Sequence, residues 1–219
     1  MIAVPEAALE ELNRKASGER QPRLFVLSAP SGTGKDAVLR RLRERMSDVH
    51  VVVTCTTRAR RPDEREGVDY QFIGQDEFLA MRTRGDLLED VQYAGNFYGT
   101  PSQDIRDAMA RGQDVILKIE VRGASVVKLR VPGTVLIFLA PPSVEVLMDR
   151  VMRARQERGN PSQDDLDRRL AEAQRELACI PGHDYVIVNH TDRLEEAVSQ
   201  LETIIRAERA RVNVPPVRV

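Results

Sequence analysis

The chain has 219 residues, 42% of them hydrophobic and 31% charged, with a formal net charge of −1. That length holds one α/β domain with insertions, or two small domains, around a sizeable core, and the composition excludes a disordered polyelectrolyte. Near-neutral charge removes any global attraction to nucleic acid or to an anionic membrane, so a basic function has to be local.

In chain order, residues 5–15 predict a short helix and residues 24–28 (Leu-Phe-Val-Leu-Ser) a strand. Residues 36–46 predict a helix with Val38, Leu39 and Leu42 on its apolar side, and 49–53 a β-branched strand. The texture then changes. Residues 54–67 are polar, arginine-rich and interrupted by Pro62; 69–73 reads as a short strand and 77–83 as a short helix. Residues 92–98, with Tyr93, Phe97 and Tyr98 around Gly95-Asn96, predict a hairpin. Regular alternation resumes with helices at 102–111, 121–129 and 144–152 and strands at 115–119 and 135–139. A basic, turn-containing stretch is expected at 153–160. Ser162, with Asp165 three residues on, predicts a capped helix start, and Leu166, Leu170, Ala173 and Leu177 share one face of that helix. A strand at 185–188 and a helix at 194–209 complete the pattern, and 213–219, with Pro215-Pro216, reads as a frayed tail. Strands alternating with helices imply a parallel sheet covered on both faces.

No apolar run is long enough to span a bilayer, and residues 1–18 are too polar and acidic for a secretory signal. Cys55 and Cys179 lack metal-site spacing and read as reduced thiols of a cytoplasmic protein. His50, His183 and His190 form no motif and read as surface or packing residues.

The first chemistry-bearing segment is Ala29-Pro30-Ser31-Gly32-Thr33-Gly34-Lys35, between the strand at 24–28 and a helix that starts with Asp36-Ala37. In a strand–loop–helix of this kind, backbone N–H groups converge on an anion. The lysine adds a mobile positive charge and the helix N-terminus adds its dipole. The segment therefore predicts a nucleoside triphosphate site. The pattern is imperfect: Ala29 stands at the first glycine position, and Asp36 stands where a hydroxyl ordinarily serves Mg²⁺. Gly32 and Gly34 by themselves would also suit a plain strand-to-helix turn.

The second segment, Thr54-Cys55-Thr56-Thr57-Arg58-Ala59-Arg60-Arg61-Pro62, concentrates hydroxyl and guanidinium groups directly after a strand. Guanidinium forks match phosphate oxygens bidentately, and the phenols of Tyr70 and Tyr98 can hold the same phosphate. A solvated arginine cluster is the plainer alternative.

Together these motifs resemble the guanylate kinases, which transfer a phosphoryl group from ATP to GMP. The likeness runs from about Arg23 to Arg211. It rests on residues 28–35, Thr56-Thr57-Arg58 with Arg61-Pro62, Gly67 with Asp69-Tyr70, Gly95-Asn96-Phe97-Tyr98-Gly99-Thr100, Ala140-Pro141-Pro142-Ser143 and Val186-Ile187-Val188-Asn189. The resemblance implies an α/β P-loop kinase core with a parallel sheet flanked by helices, a small mixed α/β GMP-binding insertion and a short lid. The core would occupy 1–53, 102–149 and 170–219, the insertion 54–101 and the lid 150–169. It implies ATP binding by Ala29, Pro30, Ser31, Gly32, Thr33, Gly34, Lys35, Asp36 and Ala37, with Asn189 near the adenine. Arg58, Arg61, Tyr70 and Tyr98 would grip the GMP phosphate. Glu89 and Thr100 would read guanine, and Thr54, at the family's usual serine position, would donate to the base. Lys35 and the lid arginines Arg150, Arg155 and Arg169 would stabilise the transferring group, with Arg153 or Arg158 as substitutes for Arg155. Mg²⁺ is the implied cofactor, and ATP and GMP are the implied partners, without nucleic acid or membrane.

The chemistry at Glu89 agrees. Guanine offers two donors, N1–H and the exocyclic amine, to an ionised carboxylate, whereas adenine presents an acceptor at N1. A site built on such hydrogen bonds discriminates by about 10⁴-fold or more.

Two departures bear on mechanism. A carboxylate at Asp36 is a hard ligand for Mg²⁺, but it sets negative charge beside the β- and γ-phosphates unless the metal lies between them. Lys118 stands where the family commonly has an aspartate, two residues before Glu120, itself expected as an outer Mg²⁺ group. Residues two apart on a strand share a face, so Lys118 can pair with Glu120; it can equally reach a GMP phosphate oxygen or pair with Asp36. A guanylate-kinase-like interaction module without catalysis is one alternative function, argued against by the retention of both nucleotide sites. A kinase for another phosphorylated acceptor is a second, argued against by Glu89 and Thr100.

Overall fold

Five short, largely apolar runs build the sheet that organises the molecule. The fold is described from a computed structural model covering residues 5–18, 20–62, 64–93, 95–156, 163–212 and 214–219; the side chains at 15, 154–156 and 163–169 are not described. Strand β1 (Leu24–Ser28), wholly buried, lies between β7 (Asp114–Lys118) and β8 (Val135–Ala140). The edges are β2 (Val49–Val51) and β9 (Tyr185–Val188), giving the order β2-β7-β1-β8-β9 with every pair parallel. Near-continuous apolar strands are what a sheet covered on both faces requires. One face packs through Phe25, Leu27 and Ile137 on α2 (Lys35–Arg45) and α8 (Leu194–Ala210). The other packs through Val26, Val115 and Leu117 on α4 (Ser102–Ala110) and α5 (Val121–Arg130).

The insertion between β2 and α4 has its own sheet. It contains β3 (Cys55–Thr56), β4 (Gln71–Phe72), α3 (Gln75–Arg84), β5 (Leu87–Tyr93) and β6 (Asn96–Pro101), with strand order β4-β3-β6-β5. Cys55, Phe78 and Leu87 form its small core, and Phe97 stacks on Phe78 at 5.3 Å. Within the polar stretch 54–67 the structure shows a strand that was not expected there. The Thr56 hydroxyl donates to the Phe97 carbonyl, and Thr57 Oγ1 accepts the Phe97 N–H, each at 2.9 Å. These hydroxyls seat a strand. β5 also starts earlier than the expected hairpin, because buried Leu87 and Leu88 carry it into Glu89.

Helix α6 (Val144–Gln156) runs past its expected end at 152 into the first part of the stretch expected to turn; Arg153-Ala154-Arg155-Gln156 are all good helix formers and nothing there breaks it. Arg158 and the Ser162 cap lie outside the described residues, as does the rest of 157–162. The chain is described again from α7 (Gln163–Leu177), whose Ala173 packs on Leu147 and Val151 of α6. The tail is docked and not frayed. Val217 and Val219 pack against the α4–α5 side of the core, and the Pro215 carbonyl lies where a Cβ on Gly133 would be 2.5 Å away. The two prolines restrict the path that returns these valines to the core. Helix α1 (Glu6–Ala16) leaves Leu9 and Leu12 exposed. Among the described residues no helix is long and apolar enough to cross a membrane.

At the opposite edge of the sheet from the loops described below, Asp114 is 0% exposed. It accepts from the Arg23 N–H (2.7 Å), Arg20 (2.8 Å) and Arg209 (2.6 Å), tying β7 to the segment before β1 and to α8. Removing its carboxylate orphans the buried Arg23 N–H and leaves Arg20 and Arg209 on their other partner, Asp48 (2.6 and 3.0 Å), a loss of about 2 kcal/mol. Asp114→Ala is therefore expected to lower the urea unfolding free energy by about that amount; a loss below about 1 kcal/mol would contradict the assignment.

Candidate active site

The C-terminal ends of β1 and β7 open on one cleft of about 560 Å³, walled on its other sides by the insertion and by α6 and α7. The core wall is the loop 29–34. Gly32 and Gly34 hold left-handed dihedrals, with φ +88° and +96°. A Cβ at Gly34 would lie 2.7 Å from Asn189 Nδ2, so only glycine fits the bend and the contact together. Thr33 Oγ1 donates to the Pro30 carbonyl at 2.8 Å, and Asn189 Nδ2 donates to the Thr33 carbonyl at 2.8 Å. Arg150 donates to the Asn189 carbonyl (3.0 Å) and to Thr191 Oγ1 (3.1 Å). Asn189 and Arg150 thus brace the loop and are not among the residues that line the cleft. Behind the loop, His183 Nδ1 lies 3.0 Å from the Cys179 carbonyl and must donate to it. Its Nε2 then accepts the Ser28 hydroxyl at 2.7 Å, and burial lowers its pKa, which favours this neutral ring.

Lys35 opens α2 and donates to the Ala29 carbonyl at 2.7 Å. Burial pulls its ammonium below the usual value despite Glu176, Glu120 and Asp36 nearby. Burial also pushes the Glu176 carboxyl up to about 7, against the attraction of Lys35. Tyr93 donates to Glu172 at 2.5 Å, joining β5 to α7 across the cleft mouth.

The insertion supplies the facing wall. Arg58 lies over Tyr70 (5.5 Å) and Phe72 (5.7 Å) and donates to Glu64 Oε1 at 2.7 Å. The Arg61 backbone N–H donates to the other Glu64 oxygen at 2.8 Å, and its guanidinium is half exposed. Burial works against the Glu64 carboxylate, but Arg58 and Arg61 outweigh it and hold the carboxyl below its usual range. Tyr98 meets Tyr70 edge-on at 6.1 Å. Glu64 therefore sits on the donors that a bound phosphate would claim.

Deeper in, Glu89 is 2% exposed. Its Oε1 accepts from Thr100 at 2.6 Å; Oε2 has no hydrogen-bond partner among the described residues. Burial pushes this carboxyl up to about 7, against the Thr100 hydrogen bond. Buried Thr54 lines the same pocket. A buried oxygen left unfilled costs free energy unless a ligand supplies the donor.

Between the walls, Lys118 Nζ is 2.8 Å from Asp36 Oδ1, 3.4 Å from the Asp69 carbonyl and 4.6 Å from the Tyr70 ring centre. Of the pairings open at the sequence level, the structure shows the one with Asp36. The Glu120 pairing fails because β7 ends at Lys118, so strand alternation does not reach Glu120, the N-cap residue of α5. Among the expected lid arginines, the side chains of Arg155 and Arg169 lie outside the described residues, and Arg153 pairs with Asp149 at 2.8 Å.

Sequence reasoning missed several contributors. Gly123 makes room for Glu89, since its Cβ would stand 2.8 Å from Oε2. The one signal was a glycine inside a helix, which costs stability and so asks for a packing reason. Glu64, Tyr93, Glu172 and Glu176 carried no local signal, because their roles come from elements that meet only in the fold.

The family model of the guanylate kinases matches residues 21–208. The chain belongs to the guanylate kinase family. A guanylate kinase from a Synechococcus strain is 42% identical over 201 residues, covering 92% of this chain and 90% of that one. One from Oceanobacillus iheyensis is 43% identical over 185 residues, covering 84% and 87%. The crystal structure of guanylate kinase from Anaplasma phagocytophilum matches with a TM-score of 0.72 and 31% identity over 89% of both chains.

In this guanylate kinase family member, the loop geometry gives a direct test. Gly34→Ala combines a left-handed backbone with a clash against the Asn189 amide and is expected to destabilise the fold by about 2 kcal/mol in urea unfolding. An unchanged midpoint would show that the loop does not need the glycine.

Proposed function

We propose that the protein transfers a phosphoryl group from ATP to GMP or dGMP, giving ADP and GDP or dGDP. The observation that carries this reading is the pair of anion pockets on facing walls of one cleft. One is built from loop amides and Lys35, the other from Arg58, Arg61, Tyr70 and Tyr98, with a buried carboxylate beside the second. Residues 54–101 then bind the acceptor, and 150–169 form the lid that closes over the donor.

In this reading, loop 29–34 and Lys35 bind the ATP phosphates. Arg58 and Arg61 exchange Glu64 for the GMP phosphate, helped by the Tyr70 and Tyr98 phenols. Glu89 accepts guanine N1–H and the amine, Thr100 fixes its orientation, and Thr54 borders the base. The nucleophile is a GMP phosphate oxygen. It is already ionised, so no general base is needed, and it attacks the γ-phosphorus in line while the bond to ADP breaks. Positioning and charge stabilisation do the rest. Arg150 acts on the donor side by holding the loop through Asn189, and Arg155 and Arg169 are the proposed lid cations. Mg²⁺ is the proposed cofactor. Asp36, on the cleft with 76% of its side chain exposed, and Glu120 offer the one or two hard carboxylates such an ion uses beside phosphates. When bound, it would neutralise charge on the phosphates. The free thiols Cys55 and Cys179 accord with a cytoplasmic enzyme.

An ADP-release assay with ATP and a panel of GMP, dGMP, AMP, CMP and UMP tests this. Turnover is expected for the guanine nucleotides alone. GMP binding without turnover of any acceptor would assign the chain to the non-catalytic interaction modules of the fold.

Glu89 gives a sharper test. Its folded carboxyl sits at about 7 against 4.5 for the ordinary group, so the folded state binds the extra proton. The stability tied to that proton is fully present below pH 4.5 and is lost as pH rises through 7, a change of roughly 3 kcal/mol. Glu89→Gln is therefore expected to raise the unfolding free energy at pH 8 by roughly 2 kcal/mol, with little gain at pH 5, while weakening GMP binding at least about 100-fold. A variant that keeps GMP affinity would contradict the guanine-reading role.

A further inference from the structure

We propose that Lys118 is a ligand for the acceptor phosphate, held on Asp36 until the monophosphate arrives. The proposal rests on the reading that the Arg58–Tyr70–Tyr98 end of the cleft takes GMP.

The fold places this lysine at the junction of the two pockets. β7 lies beside β1, and Lys118 is in register with Leu27, one residue before Ser28 and two before the phosphate loop. Ile116, two positions earlier on the strand, packs in the core on the α2 side. Strand alternation therefore brings Lys118 out toward α2 as well, where its ammonium meets Asp36 in the first turn of that helix. The same nitrogen reaches the insertion at the Asp69 carbonyl and the Tyr70 ring. One cation thus touches both walls of the cleft.

An ammonium carries three donors and no acceptor. Asp36 Oδ1 and the Asp69 carbonyl take two of them. On the Tyr70 side the observed contact is the ring face, a weak cation–π partner that a phosphate oxygen outcompetes. The two partners also differ in freedom. The Lys118 side chain is 12% exposed and that of Asp36 76% exposed, so the lysine head is held by packing of its stem while the carboxylate is in solvent. A monophosphate arriving at Tyr70 meets a cation already in place and draws it off Asp36.

The pair also resolves a conflict in the sequence. A carboxylate at 36 faces incoming phosphates with like charge, and Lys118 cancels that charge before any ligand binds. The two departures from the family pattern then form one unit: the acid at 36 holds the lysine at 118, and the lysine serves the acceptor.

Calorimetry with the full chain, in buffer without metal, reads the two sites separately by using GMP alone and ADP alone. Lys118→Met is expected to weaken GMP binding by about tenfold to a hundredfold, the loss of one charge-assisted hydrogen bond, and to weaken ADP binding by a smaller factor, through the charge of Asp36 that it leaves uncancelled. Lys118→Arg keeps the charge and should recover most of the GMP affinity. Asp36→Asn releases the ammonium and should tighten GMP binding, an effect that disappears in the Asp36→Asn/Lys118→Met double variant. GMP affinity unchanged in a folded Lys118→Met protein would overturn the proposal, as would a loss confined to ADP. If Lys118→Met unfolds, the Asp36→Asn arm decides: unchanged or weaker GMP binding overturns the proposal. A native chain that binds no GMP at all would instead overturn the acceptor-pocket reading beneath it.

Discussion

The termination of β1 between two parallel neighbours is the constraint on which the cleft depends. In a parallel sheet the strand ends deliver their loops to one edge, and that is where ligands bind. β1 ends in the phosphate loop, β7 ends at Lys118, and β9 leads to Asn189, whose N–H donates to the Ala140 carbonyl and whose side chain holds Thr33. The loop is therefore held by β1, which it continues, and through Asn189 by the ends of β8 and β9. The insertion, by contrast, has a separate sheet and a core of only a few buried side chains.

A second regularity is electrostatic. Three cations of the cleft have carboxylates beside them: Arg58 has Glu64, Lys118 has Asp36, and Lys35 has Glu176 and Glu120 nearby. A buried charge without a partner is costly, so at these three cations a phosphate enters by exchange, anion for anion. Glu89 is the exception. Its second oxygen has no partner among the described residues, and burial makes it resist ionisation. Glu89, proposed above to read the base, is thus the group whose hydrogen bonding is incomplete among the described residues, which is what discrimination by hydrogen bonding requires.

Much of this was legible from residues alone. Apolar runs located the strands of the main sheet, because a strand buried on both faces needs nothing else. The loop 29–35 declared itself by small residues and a lysine between a strand and a helix. Other features were hidden for physical reasons. Cys55-Thr56 is a strand because its backbone pairs with Gly99 and Tyr98 and the Thr56 hydroxyl donates to the Phe97 carbonyl, partners some forty residues away. The burial of Glu89 has no local signal, because Gly123 and Thr100 close around it only in the fold. The tail looked frayed because two prolines preclude helix, yet Val217 and Val219 find a hydrophobic seat that no local pattern predicts. Asp36 and Lys118 each looked like an isolated departure, and only the register of β7 against β1 made them neighbours.

The central claim is that two nucleotides face each other across one cleft. Binding of a compound in which adenosine and guanosine are joined through a chain of phosphates, measured by calorimetry, tests it most directly. Simultaneous engagement predicts one molecule per chain and an affinity at least about a hundredfold tighter than that for ATP or GMP separately. An affinity no better than that of ATP, or two molecules bound per chain, would show that the two pockets do not share a reaction path.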